Sequence, residues 1–80
     1  MKVSIEYCVQ WNYKPRAVSL AARLQKTFNA ETMLIKGGGG DFDVYSDSVL
    51  IFSKKKEMSF PNEGEVEGLI KNQSWSGFLS

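Results

Sequence analysis

The stretch Val3-Ser4-Ile5-Glu6-Tyr7-Cys8-Val9-Gln10-Trp11-Asn12-Tyr13-Lys14-Pro15-Arg16-Ala17 decides the fold. Val3, Ile5 and Tyr7 alternate with Ser4 and Glu6, a period of two, so the chain opens with a half-buried strand. Such a strand belongs to a sheet with one covered face and one wetter face. Further on, Ala17, Leu20, Ala21, Leu24 and Phe28 recur at helical spacing and form one apolar stripe. Lys14, Arg16, Ser19, Arg23 and Lys26 lie mostly off that stripe. Pro15 has no N–H, so it belongs in the first helical turn, where that donor has no partner anyway. Asn12 is the candidate N-cap. Cys8 to Tyr13 therefore join the end of a strand to the start of a helix.

Working outward, Glu31 to Lys36 reads as a second strand, with Thr32 and Leu34 on one face and Met33 and Ile35 on the other. Strand, helix and strand make a right-handed βαβ unit with parallel strands. Gly37-Gly38-Gly39-Gly40 releases the chain into a third strand, where Phe42 and Val44 share a face and Asp41, Asp43 and Tyr45 share the other. Ser46-Asp47-Ser48 is a turn, and Val49 to Phe52 completes a hairpin. Lys54-Lys55-Lys56 leaves the sheet as a solvated turn. The last helix is expected to start at Pro61 and Asn62. Asn62 and Glu65 have capping-box spacing, and Val66, Leu69 and Ile70 form the apolar face. Gly64 and Gly68 should each weaken this helix by about 1 kcal/mol relative to alanine.

The order is thus β-α-β-β-β-α. The expected fold class is α/β, a four-stranded mixed sheet with both helices on one face. Residues 1–72 form the expected domain and residues 73–80 a tail. Trp75, Phe78 and Leu79 in that tail are expected to dock on the open sheet face or to join a partner chain, which includes a homodimer.

Composition narrows the function. A chain of 80 residues is one domain. Ten basic residues against nine acidic give a net charge of +1, which argues against nucleic acid or an anionic membrane as main partner. The longest apolar run, Val49 to Phe52, is far too short to span a membrane. No apolar run near the N-terminus resembles a signal peptide. The sequence has no histidine, which removes the Ser-His-Asp triad and most transition-metal sites. A single cysteine, Cys8, rules out an internal disulfide and a Cys-rich zinc site, and the expected compartment is the cytoplasm.

Cys8 is the first candidate for chemistry. A thiol between a strand end and a helix N-terminus ionises more easily, and Lys14 and Arg16 in the first turn could add to that. The alternative is inert packing, the usual role of a lone cysteine. Trp11 either caps the core edge, or covers Cys8 or forms an aromatic platform with Tyr7 and Tyr13. The glycine run does not continue as Gly-Lys-Ser/Thr or fit Gly-x-Gly-x-x-Gly, so its expected role is conformational rather than phosphate binding. Asp41, Asp43 and Asp47 do not make an EF-hand, because Ser46 and Phe52 stand where that loop needs Gly and Glu.

Three blocks together resemble the selenoprotein W-like (SelT/SelW/SelH, Rdx) family. They are Tyr7-Cys8-Val9-Gln10-Trp11-Asn12-Tyr13-Lys14, then Gly37 to Gly40 with Asp41-Phe42-Asp43-Val44, then Leu50-Ile51-Phe52-Ser53-Lys54-Lys55-Lys56. The resemblance covers about Val3 to Lys71. It implies a thioredoxin-like fold and places the glycine loop near the cysteine loop. The redox motif of that family is Cys-x-x-Cys or Cys-x-x-selenocysteine. Cys8 takes its first position, and Trp11 stands at the second. A dithiol cycle within one chain is therefore excluded, since nothing at position 11 can resolve a mixed disulfide.

Two functions follow as expectations. One is a monothiol redox protein, with Cys8 as candidate nucleophile, partly accessible, and glutathione as co-substrate or a partner thiol as resolver. The other is a non-catalytic binding module that uses the Trp11 region, the glycine loop and the open sheet face to hold a partner protein or ligand. Tyr7, Val9, Gln10, Asn12, Tyr13 and Gly37, Gly38, Gly39 and Gly40 are the residues expected to shape the site. No bound cofactor and no metal is expected.

Overall fold

The computed structural model describes the backbone of residues 1–79 and the side chains of residues 1–72. Its elements are β1 (Lys2–Cys8), α1 (Lys14–Phe28), β2 (Glu31–Gly37), β3 (Phe42–Ser46), β4 (Val49–Ser53), α2 (Lys54–Glu57) and α3 (Glu65–Leu79). The four strands form one mixed sheet in the order β2-β1-β3-β4. β1 runs parallel to β2, with Cys8 opposite Gly37. It runs antiparallel to β3, with Tyr7 opposite Phe42. β3 and β4 form the hairpin, with a register shift between Val44 and Tyr45.

The period-two pattern sets which face is covered. Val3, Ile5 and Tyr7 from β1 join Phe42 and Val44 from β3 and Phe52 from β4 in one buried cluster. Ala17, Leu20, Ala21 and Leu24 from α1 and Val66 and Ile70 from α3 complete it. Both long helices therefore lie on the same side of the sheet, and their apolar stripes close one core. Ion pairing adds a cross-link, with Arg23 Nε of α1 3.5 Å from Glu67 Oε2 of α3.

Local chemistry explains where α1 begins and ends. Pro15 does fall in its first turn. The N-cap is Tyr13 rather than Asn12, and no side chain caps the helix there. Asn12 instead adopts a left-handed backbone, φ 57°, inside the preceding turn, and its N–H donates to the Val9 carbonyl at 3.0 Å. Asparagine tolerates that conformation better than most residues. At the other end Asn29 is left-handed as well, and its N–H donates to the Gln25 carbonyl at 2.8 Å.

Four further expectations need correction. The lysine run is not a plain turn: Lys54–Glu57 forms a single helical turn, α2, that ends at left-handed Met58. The last helix starts at Glu65, not at Pro61 or Asn62. The capping-box contact nevertheless forms, as the Asn62 N–H donates to Glu65 Oε1 at 2.9 Å. Gly64 lies just before the helix at φ +81°, where glycine relieves strain rather than weakening a helix. α3 runs on to Leu79, so residues 73–79 of the expected tail continue its backbone. The side chains of Trp75, Phe78 and Leu79 lie outside the described residues. Among the described residues no helix is long and apolar enough to cross a membrane.

Candidate functional site

Cys8 is the last residue of β1, and two loops meet over it. Its N–H donates to the Asp41 carbonyl at 2.8 Å, which ties it to the end of the glycine loop. The Val9 N–H reaches the Gly37 carbonyl at 3.4 Å. The Tyr13 N–H donates to the Cys8 carbonyl at 3.1 Å, so the start of α1 engages the cysteine backbone. The sulfur accepts the Trp11 N–H at 3.3 Å. Position 11 thus meets the cysteine through its backbone.

Cys8 is fully buried, at 0% exposure. This overturns the expectation of a partly accessible thiol. The alternation of β1 explains how. Val3, Ile5 and Tyr7 fill the core, so Cys8 shares the parity of Ser4 and Glu6, on the opposite face. It does not belong to the contiguous core cluster. The turn before α1 and the end of the glycine loop are both hydrogen-bonded to it.

The glycine run is conformational, as its sequence suggested. Gly39 and Gly40 have φ of +60° and +77°, and the Asp41 N–H closes the turn on the Gly38 carbonyl at 3.1 Å. A β-carbon on Gly40 would come within 2.6 Å of the Trp11 ring, and one on Gly37 within 2.9 Å of Glu6 Cγ. The loop therefore packs as backbone against side chains on either side.

Trp11 does not cap the core. It is 58% exposed and braces the glycine loop from outside. An aromatic row does form, but without Tyr7, which is buried in the core. Trp11 meets Tyr13 edge-on with centroids 6.1 Å apart. Tyr13 meets Phe60 at 4.7 Å, and Phe60 meets Phe42 at 5.4 Å. Val9 and Gln10 are exposed at the tip of the loop.

Charges frame this end of the sheet. Lys55 Nζ of α2 lies 2.6 Å from Asp41 Oδ1, so one member of the lysine run clasps the glycine loop. Hydrogen bonding to Asp41, then its charge, raises the Lys55 pKa. Lys54 lies over the rings of Phe60 and Tyr13, at 5.3 and 5.7 Å. Arg16 stacks over Phe60 at 4.0 Å. Glu6 and Asp43 are register partners on the open face, and Asp43 Oδ1 is buried without a hydrogen-bond partner. Loss of hydration first, then Asp43, Glu6 and Asp41, raises the Tyr45 pKa. Asp47 lies at the far end of the hairpin, where its carboxylate accepts the Lys2 N–H at 3.0 Å.

The structure thus gathers Cys8, Trp11, Tyr13 and Gly37 to Gly40 in one place and leaves Tyr7 in the core. Sequence reasoning missed Phe60, the hub of the aromatic row. The available signal was its place just before a capping box, where a hydrophobic residue often fixes the approach to a helix.

The Rdx family model matches residues 2–72. A selenoprotein W-related protein from Vibrio cholerae superposes with a TM-score of 0.82 at 26% identity, covering 90% of this chain and 94% of that one. A protein from Bordetella parapertussis gives a TM-score of 0.85 at 24% identity, over 90% and 95% of the two chains. No curated protein matches. The family model spans the cysteine loop, the glycine loop, the lysine turn and most of the core, so the chain belongs to the Rdx family and has its thioredoxin-like fold.

Proposed function

We propose that this chain is a thiol redox protein that works through Cys8 by a monothiol route. The Cys8 thiolate attacks a peroxide oxygen. The O–O bond breaks, hydroxide leaves and takes up the thiol proton as water, and the sulfur becomes a sulfenic acid. A glutathione or partner thiol attacks that sulfur, displaces water and leaves a mixed disulfide. A second such thiol attacks the outer sulfur and frees Cys8. One peroxide is reduced to two waters, and two external thiols are oxidised to a disulfide. Trp11 has no thiol, so resolution must come from outside the chain.

One observation carries this reading. Cys8 is buried beside, not within, the contiguous apolar cluster, and the Trp11 N–H donates to its sulfur at 3.3 Å. On this reading the cover opens locally, without global unfolding. The test is the alkylation rate of Cys8 in the native protein against pH and denaturant. Labelling without denaturant, much faster than global unfolding, supports the monothiol route. Labelling that tracks global unfolding overturns it.

The second reading is a binding module without thiol chemistry. The complete burial of Cys8 together with an exposed Trp11 favours it. In that case Cys8→Ala leaves partner binding intact, while Trp11→Ala weakens it.

A further inference from the structure

A cavity of about 260 Å³ opens on the helical side of the fold, between α1 and the segment that leads into α3. Leu20, Phe42 and Phe60 line its apolar part. Arg16, Ser19 and Arg23 line it as well, at i, i+3 and i+7 along one face of α1. The helical spacing places these three mostly off the apolar stripe of α1, and the packing of Phe60 against α1 turns that face into a wall. Arg16 stacks on the Phe60 ring at 4.0 Å and pairs with no carboxylate among the described residues. A guanidinium stacked this way keeps its N–H edge free for an acceptor. Arg23 turns its Nε toward Glu67 Oε2 at 3.5 Å, and that nitrogen has no hydrogen-bond partner.

We propose that this cavity binds a small carboxylate that carries an aromatic ring. The ring would lie against Phe60, Pro15 and Pro61, over the buried floor that Leu20 and Phe42 make, and the carboxylate would take the Arg16 fork with the Ser19 hydroxyl. Two features select this class. Polar and apolar side chains share the hollow, which suits a ligand with one charged and one apolar end, and the volume suits a fragment-sized molecule. Glu67 beside Arg23 leaves the cationic rim only partly uncompensated, which suits a monoanion better than a phosphate dianion. Planar fork-to-carboxylate pairing supplies the orientation. Cys8 plays no part in this proposal, so it stands apart from the redox reading.

The experiment is a titration of the full chain with 3-phenylpropionate, followed by backbone amide shifts. Saturable shifts at residues 16–23 and at Phe60 are expected, with affinity reduced about tenfold for the uncharged 3-phenylpropionamide. Arg16→Gln, an exposed position that leaves the core alone, should cause a similar loss. Absence of saturable shifts overturns the proposal. So does equal binding of acid and amide, or an Arg16→Gln variant that binds as the natural chain does. Tighter binding of phenyl phosphate overturns the carboxylate assignment. Tighter binding of a peptide ending in phenylalanine overturns the small-ligand assignment.

Discussion

The ring of Trp11 packs against Gly40 so closely that a β-carbon on Gly40 would fall 2.6 Å from Trp11 Cζ3. Gly40 is also left-handed, at φ +77°. Position 40 therefore needs glycine for two separable reasons. Gly40→Ala should destabilise the fold by about 1–3 kcal/mol from backbone strain, with the steric contact added. Urea denaturation measures the sum. Trp11→Ala in the same chain should recover the steric part, and full additivity of the two substitutions would show that the ring does not oppose the new methyl.

Trp11→Cys should form a disulfide with Cys8 on oxidation. The position 11 nitrogen already lies 3.3 Å from Cys8 Sγ, which places its α-carbon near the range of about 4.4–6.8 Å between α-carbons that a disulfide spans. The indole is mostly exposed, so the reduced variant should lose about 1 kcal/mol or less. Intact mass spectrometry without reductant should show the loss of two protons. An unchanged mass would mean that the loop does not bring the two sulfurs together.

Burial changes what Cys8→Ser should do. A hydroxyl in a fully buried position costs about 1–3 kcal/mol unless it is well hydrogen-bonded, whereas an exposed thiol would have been replaced almost freely. Serine can accept the Trp11 N–H, so the low end of that range is expected. Thermal melting of Cys8→Ser beside Cys8→Ala tests this. Equal stability of both with the natural chain would mean that the site is open to water.

Phe60→Ala removes the ring that Tyr13, Phe42, Arg16 and Lys54 all contact. Full truncation of a buried phenylalanine costs about 3–5 kcal/mol, and Phe60 is only half-buried, so a loss of about 2 kcal/mol is expected. Chemical denaturation gives the value. A change within about 0.5 kcal/mol, the range of an ordinary surface substitution, would remove Phe60 as the hub.

Alkaline pH should weaken the clasp on the glycine loop. Lys55 has its pKa raised above 10.5 in the folded chain, chiefly by its hydrogen bond to Asp41. The folded state therefore holds that proton more tightly than the unfolded state. The contribution is fully present below pH 10.5 and is lost as pH rises through the folded value. Tyr45, raised above 10.0 by loss of hydration and then Asp43, Glu6 and Asp41, changes stability with the same sign in the same region. Melting temperature should fall above about pH 10 in the natural chain. Lys55→Met and Tyr45→Phe should each flatten that fall, and a slope unchanged in both would assign it to other groups.

The order of the four strands and the two long helices was determined by the sequence alone, although the short helix Lys54–Glu57 was not. Val3, Ile5 and Tyr7 carry a period of two, while Ala17, Leu20, Ala21 and Leu24 carry a helical one, and both are local properties of the backbone. The missing thiol at Trp11 was equally plain, since it needs only residue identity. Other features depend on residues far apart in the chain. Cys8 has the parity of the wet face, yet it is fully buried, where the strand end meets the glycine loop and the turn before α1. Asn12 has the chemistry of a helix cap, but the turn that closes over Cys8 places it in a left-handed backbone instead. Phe60 looks like a loop residue until Tyr13 and Phe42 come against it from more than 15 residues away. Arg16 and Arg23 look like solvent-facing charges until Phe60 gives them a wall. Periodicity reports which way a residue points within its own element; burial depends on what arrives from the rest of the chain, and only packing decides that.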